Sequence, residues 1–379
     1  MKRLLILISL LCLACSGTTL VATSVNTPAF SKSEVTSTVQ PSTTPAPTAS
    51  QTPTNTPLPP TSTPLPPLIN IQNAVQVDKL DEMDSAALRK VVFSPDGSLF
   101  ATASGNDTDF GIKIWQTRGK QIQSITGFSG IVWDVAFSPN GEWVASAADD
   151  QNGQRLRIWN VSDGRLLVSL DGPGAANCVT FSPDGTQLAV GGMSGGWPLG
   201  VVWVYDTTSW KMVQALNATG QNVEAVAFTK DSKHLVGSGT DGTLRVWTVG
   251  KGTEQFRRSQ GSQMNRLALS PDGSLMASAD CTKTGTNGCT QGGVTIWRTS
   301  NWSIIQQFND LAEGMVFSPD GSLFITGAGT NDPVIRFRQV NDWKVIKTLP
   351  GPVVSVAFSP DSRLLVTASW DKIITWGLR

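Results

Sequence analysis

Histidine and tyrosine are almost missing from this chain of 379 residues, which has one of each. A single His excludes His-rich metal sites and most nucleophile–His–carboxylate triads. Charge is scarce too, at 15% of residues, and balanced, with 29 Lys+Arg against 29 Asp+Glu. A polypeptide with no net charge does not draw nucleic acid or an anionic membrane surface by long-range attraction. The hydrophobic stretch over residues 4–14 (LLILISLLCLA) is 11 residues long. A membrane-spanning helix needs about 20. What the sequence has in quantity is Gly, 36 residues, and Trp, 13 residues.

The basic start Met1-Lys2-Arg3 and the run after it have the flanks and length of an export signal, assigned to residues 1–14. Leu11-Cys12-Leu13-Ala14-Cys15 resembles a bacterial lipobox, although Cys12 stands where Leu is preferred. The resemblance implies cleavage before Cys15 and its lipidation, which would anchor the protein to a membrane without a transmembrane helix. An ordinary cleaved secretory signal and an uncleaved anchor are the alternatives. Residues 15–69 are assigned as a Ser/Thr/Pro-rich disordered tether. Gln40–Pro67 reads QPSTTPAPTASQTPTNTPLPPTSTPLPP and lacks aromatics. It cannot bury enough apolar surface to offset its ordering entropy. Some 50 residues at about 3.1 Å each would reach about 150 Å.

Residues 70–379 repeat one motif seven times. A hydrophobic strand ends each time in an FSPDG-like turn, beginning at Phe93, Phe137, Phe181, Phe228, Leu269, Phe317 and Phe358. The spacings of 41 to 48 residues fit a four-stranded propeller blade of about 40–45 residues. In the second repeat four strands are expected at 131–137, 142–147, 155–159 and 165–170. The last repeat ends at IITW (373–376) without a fourth strand. Ala74–Leu80 (AVQVDKL) is an unassigned strand, expected to complete the last blade and close the ring. The fold class is therefore an all-β, seven-bladed propeller with residues 1–69 ahead of it. The expected core is the inner-strand set Val92, Phe93, Val135, Phe137, Val179, Phe181, Val226, Phe228, Leu267, Met315, Phe317, Val356 and Phe358, with the third-strand Trp residues.

FSPDGSLFATAS…IKIW (93–115), FTKDSKHLVGSGTDGTLRVW (228–247) and FSPDSRLLVTASWDKIITW (358–376) resemble the WD-repeat (WD40) family over all of 70–379. There are departures. The family's Gly-His dipeptide is absent, so its buried His network cannot be complete. The third-strand Trp stands at Trp115, Trp159, Trp247, Trp297 and Trp376, but Tyr205 and Arg338 replace it in repeats 3 and 6. The resemblance implies that the position four before each FSP aromatic rings the channel mouth. These residues are Arg89, Trp133, Asn177, Glu224, Asn265, Glu313 and Val354. Trp370 occupies a position that the family often exposes for contact. Trp133, Trp370 and Trp197, with Arg89, Glu224 and Glu313, are the candidate partner-binding residues, since Trp is enriched in binding hot spots. Packing between blades is the competing role for each. Trp210, Trp302 and Trp343 lie in turns of the opposite face. Each either covers its own turn or joins an aromatic strip.

The loops between second and third strands are uneven. Those of repeats 1 (104–111), 2 (148–154), 3 (193–200) and 5 (281–293) are long, which suggests a partner face or neutral drift. In an exported protein Cys281 and Cys289 are expected to form a local disulfide. Zinc is the poorer alternative, because no His is near. Cys178 is expected to be a buried free thiol. His234 is expected to be structural, and Asp107 and Asp109 show too few oxygen ligands for calcium.

No catalytic motif, metal site or cofactor site emerges. The expected function is a non-enzymatic binding or scaffold module, monomeric and exported, held to a membrane only by its N-terminal lipid. Its partner is expected to be a protein or peptide. The alternatives are a glycan-binding surface protein, an exported propeller hydrolase or lyase using Glu224 and Glu313 at the channel, and an envelope accessory like the periplasmic Tol-system propeller.

Overall fold

The computed structural model describes residues 67–379 except 106–109, 150–152, 154, 171, 173, 196–198, 219, 221, 261–262 and 286–287. The export signal, Cys15, most of the tether, Trp197, Asp107 and Asp109 lie outside the described residues.

Every repeat starts from the same turn. The Ser94 hydroxyl donates to Asp96 (2.6 Å) and accepts from the Leu99 amide (3.0 Å). Ser138 does the same with Asn140 and Trp143, and Thr229 with Asp231 and His234. Repeats 3, 5, 6 and 7 use Ser182, Ser270, Ser318 and Ser359. One short side chain thus holds both ends of each turn, which fixes the hairpin between the first two strands. The turn needs a positive φ at one position. Gly97 supplies it at 72°, and Ser232 and Ser362 adopt 59° and 58° in repeats 4 and 7.

Among the described residues the strands assemble into seven four-stranded antiparallel sheets, one per repeat. The fold is the expected all-β, seven-bladed propeller. In blade 2 the strands are Val132–Phe137, Trp143–Ala148, Leu156–Asn160 and Leu166–Leu170, each within one residue of expectation. Blade 7 is built from Ser355–Phe358, Leu365–Ala368 and Lys372–Gly377, and its outer strand comes from the other end of the propeller sequence. That strand is Asp78–Asp84, not Ala74–Leu80. Ala74–Gln76 is a 3-10 turn instead. The reason is packing: Ile69, Ala74 and Val77 are each fully buried in the cluster between blades 6 and 7, with Phe337, Phe358 and Trp376. The apolar residues read as half of a strand are thus a plug under the ring seam. Ile69 donates its amide to the Ser362 carbonyl (2.6 Å), so the folded part begins before residue 70.

Two further expectations are corrected. The segment 281–293 in blade 5 is not a loop. Leu275–Gly285 and Gly288–Arg298 are paired strands, and the disulfide Cys281–Cys289 (Cα–Cα 5.7 Å) ties them together. The core is also centred elsewhere than expected. Val135, Val179, Phe181, Phe228, Met315, Phe317, Val356 and Phe358 are buried, but Val92, Phe93, Phe137, Val226 and Leu267 are only half-buried. The second strands supply the fully buried layer: Phe100, Val144, Leu188, Leu235, Met276, Phe324 and Leu365. Each is cross-strand partner to the residue at the third-strand Trp position.

The Trp residues at that position are buried, and four of them have their indole N–H groups satisfied. Trp115, Trp159, Trp297 and Trp376 donate to Thr102, Ser146, Ser278 and Thr367 at 2.8–3.0 Å. In blade 6 Arg338 donates to Thr326 (3.3 Å) from the same place and pairs with Asp310. The Trp-to-Ser/Thr link of the family's buried polar network thus stands in four blades without a His.

Candidate functional site

The first strand of each blade lies at the channel. Five of these strands carry a register irregularity at one place: around Arg89, Trp133, Asn177, Glu224 and Asn265. An extra residue in a strand is left out of the pairing and its side chain is re-aimed. Those five are the mouth-ring positions of blades 1 to 5. In blades 6 and 7 the paired first strands begin just after Glu313 and Val354.

The channel mouth holds a cavity of about 370 Å³. Arg89, Trp133, Asn177, Glu224, Glu313, Val354 and Trp370 all face it. Half-buried apolar residues of the first strands, Val226 and Leu267, line it as well, which explains their exposure. Lys90, Asp134, Arg266 and the cystine Cys281–Cys289 complete much of the wall. The sequence reading missed Lys90, Asp134 and Arg266, because each is one residue past a bulge. No simple alternation puts neighbouring residues on one side.

The charges divide the wall. On one side the Arg89 guanidinium sits 4.8 Å from the Trp133 ring and 4.6 Å from the Trp370 ring. Burial lowers its pKa, and the Arg266 charge adds to this. On the other side Glu224 accepts from Asn222 (2.8 Å) and Asn177 (3.5 Å). Arg266 donates to the Glu313 carbonyl (2.8 Å). Burial pushes both carboxyls, Glu224 and Glu313, above their ordinary value, and the Arg266 charge pulls both back. Asp134 is a structural group. It accepts from the Val135 and Val179 amides at 3.0 Å and pairs with Lys90 at 3.4 Å. Cys178 is the buried free thiol expected, and burial raises its pKa well above the ordinary value. No group of three or more His, Cys, Asp or Glu among the described residues could hold a metal.

Trp370 is exposed at 39%, while Trp133 is half-buried under Arg89. The three tryptophans of the opposite face behave otherwise. Trp210, Trp302 and Trp343 have φ of 54°, 56° and 61°. Glycines stand at the matching turns of other blades, Gly119, Gly164 and Gly252. Each Trp reaches to the blade before its own: Trp210 to Trp143, Trp302 to Phe256 and Trp343 to Phe308, at 5.3–6.0 Å. They do not simply cover their own turns. They close seams between blades.

Comparison with known sequences agrees with this geometry. Five stretches match the model of the WD domain, G-beta repeat: residues 78–116, 119–160, 164–196, 210–248 and 343–375. Each match opens at or just before the outer strand of the preceding blade, so the sequence repeat is offset from the blade by one strand. The chain is a WD40-repeat propeller. The unmatched part holds blade 5, with its extended hairpin, and most of blade 6, where Arg338 replaces the Trp. Over 150 residues the sequence is 22% identical to Protein ROOT INITIATION DEFECTIVE 3 of Arabidopsis thaliana. That match covers 38% of this chain and about a third (33%) of that protein. WD40 propellers typically act as protein-binding scaffolds.

Proposed function

We propose that this protein is a non-enzymatic binding module that holds a protein or peptide partner at the channel mouth. The observation that carries this reading is the mouth itself. Bulged first strands of blades 1 and 2 bring Arg89 and Trp133, and the turn between the second and third strands of blade 7 brings Trp370, to one wall of a cavity. Aromatic residues and Arg anchor partners most often, and here a rigid ring holds them. The basic start, the hydrophobic run and Cys15 support display outside the cytoplasm on a lipid-anchored tether.

Two experiments test it. The full-length protein, beside a Trp133→Ala/Trp370→Ala double variant, is used to capture envelope proteins. A protein kept by the wild type and lost by the folded variant supports the reading, and equal capture ends it. Labelling cells with a radioactive fatty acid tests the anchor: the wild type takes up label and Cys15→Ser does not. Label missing from both removes the lipid tether.

A second reading is a hydrolase or lyase at the same mouth. It rests on Glu224 and Glu313, which line one cavity and whose carboxyls burial pushes upward. Turnover of chromogenic glycosides, lost in both Glu224→Gln and Glu313→Gln, would favour it. A protein without turnover would leave the binding module alone.

A further inference from the structure

Among the described residues three cations face the mouth, and two are engaged by the fold. Lys90 pairs with Asp134. Arg266 donates to the Glu313 carbonyl, and its charge acts on Glu224 and Glu313. Arg89 differs. Among the described residues no carboxylate pairs with it and no acceptor takes its N–H groups, and its Nε is buried without a partner. It is held between two indole rings. Guanidinium has five N–H donors in a planar fork, and a half-buried one left without acceptors is costly. Stacking on rings satisfies its faces and leaves its edge. That edge matches a carboxylate, which can accept two parallel N–H bonds.

We propose that Arg89 is a carboxylate receptor, clamped by Trp133 and Trp370, and that the partner enters the mouth with a carboxylate of a peptide. This inference rests on the binding-module reading and names the group recognised. The carboxylate is either the free C-terminus of a peptide or an Asp or Glu side chain within it. Glu224 and Glu313 across the mouth set the orientation. They repel a second anion, so a peptide with one carboxylate in reach is preferred to a polyanion.

The probe is a bead-bound random pentapeptide library offered to the full-length protein in three forms. One has free C-termini and no acidic residue, one is C-amidated with acidic residues, and one is C-amidated without them. Retention of the first form, or of the second, over the third supports the proposal and tells the two sources apart. Arg89→Gln should then weaken the selected peptide by about 10- to 100-fold, the range for a hydrogen bond to a charged group. Arg89→Lys keeps the charge but lacks the fork and should recover only part of the loss. Equal retention of all three forms, retention of none, or affinity unchanged in Arg89→Gln overturns it. The failures are separable. If the Trp133→Ala/Trp370→Ala variant loses its captured protein while Arg89→Gln keeps it, the binding face stands and the carboxylate does not. If the Trp variant keeps it too, both fall.

Discussion

A hydroxyl–carboxylate contact that recurs in the turns of several blades contributes to how the protein responds to acid. The Ser270 and Ser274 hydroxyls hold the Asp272 carboxyl at about 2. Hydrogen bonds from Ser94 and Ser98 lower Asp96 in the same way. A carboxyl lowered in the folded state contributes stability above its unfolded value near 4, and that contribution is lost as pH falls toward the folded value. Stability should therefore drop between about pH 4 and 2. Blade 2 supplies an internal control, since Asn140 accepts the same bond from Ser138 without a charge. Asp272→Asn lacks the ionised carboxyl's contribution, so it should lower the melting temperature at pH 7, flatten its fall in acid and approach wild type near pH 2. A variant that melts in step with wild type at every pH would show that this turn plays no part. The turn was readable from its sequence, because Pro, Asp and Gly at fixed offsets have a local mechanism. Gly237 was not readable. It stands where other blades place the hydroxyl partner of the buried Trp, and a Cβ there would lie 2.8 Å from the Trp247 ring. Gly237→Ala should cost about 1–3 kcal/mol by overpacking, measured by urea unfolding.

At the scale of turns and strands, the tryptophans of the opposite face show how a seam can override backbone preference. A bulky residue at φ near 55° is a genuine outlier, and such strain persists only when surrounding contacts hold it. Trp302 is held by Phe256 at 6.0 Å. Trp302→Ala should keep the unfavourable backbone and lose that contact, for a loss of about 2 kcal/mol, below the range for a fully buried Trp. Trp302→Gly removes the strain as well and should be the less damaged of the two. Denaturant midpoints of the pair decide it, and the reverse order would mean that the turn carries no strain. Sequence could place these residues in turns but not on the preceding blade, because the contact is with a repeat some 45 residues away. The channel ring has the same limit. Its positions followed from the family resemblance, whereas the bulges that aim them depend on how two strands pair. The long hairpin of blade 5 read as a loop because Gly and Thr dominate it, and the cystine and the register with its partner strand make it a sheet.

Closure of the ring belongs to the whole molecule. Seven sheets in a circle leave only short outer edges, and blade 7 is complete like the others only if it receives its fourth strand. Asp78–Asp84 supplies it, pairing along Lys372–Gly377, with Lys372 and Lys79 both on Glu82. Glu82 is drawn down to about 2 by those two lysines. This surface pair is too exposed to hold the ring by charge, since such pairs contribute little. The buried plug is the stronger element: Ile69, Ala74 and Val77 fill the seam that Phe337, Phe358 and Trp376 would otherwise expose. Exchanging Glu82 for Gln should therefore leave the melting temperature within a few degrees of wild type. Val77→Asp, which buries an unpaired charge in that seam, should cost several kcal/mol. The loss should be read at the ring as a whole, since an open blade 7 exposes an edge strand for pairing with another molecule. Size-exclusion chromatography of Val77→Asp beside Glu82→Gln separates the two contributions. Self-association in the first and not in the second places closure in the apolar plug. The reverse would place it in the ion pairs along the outer strand.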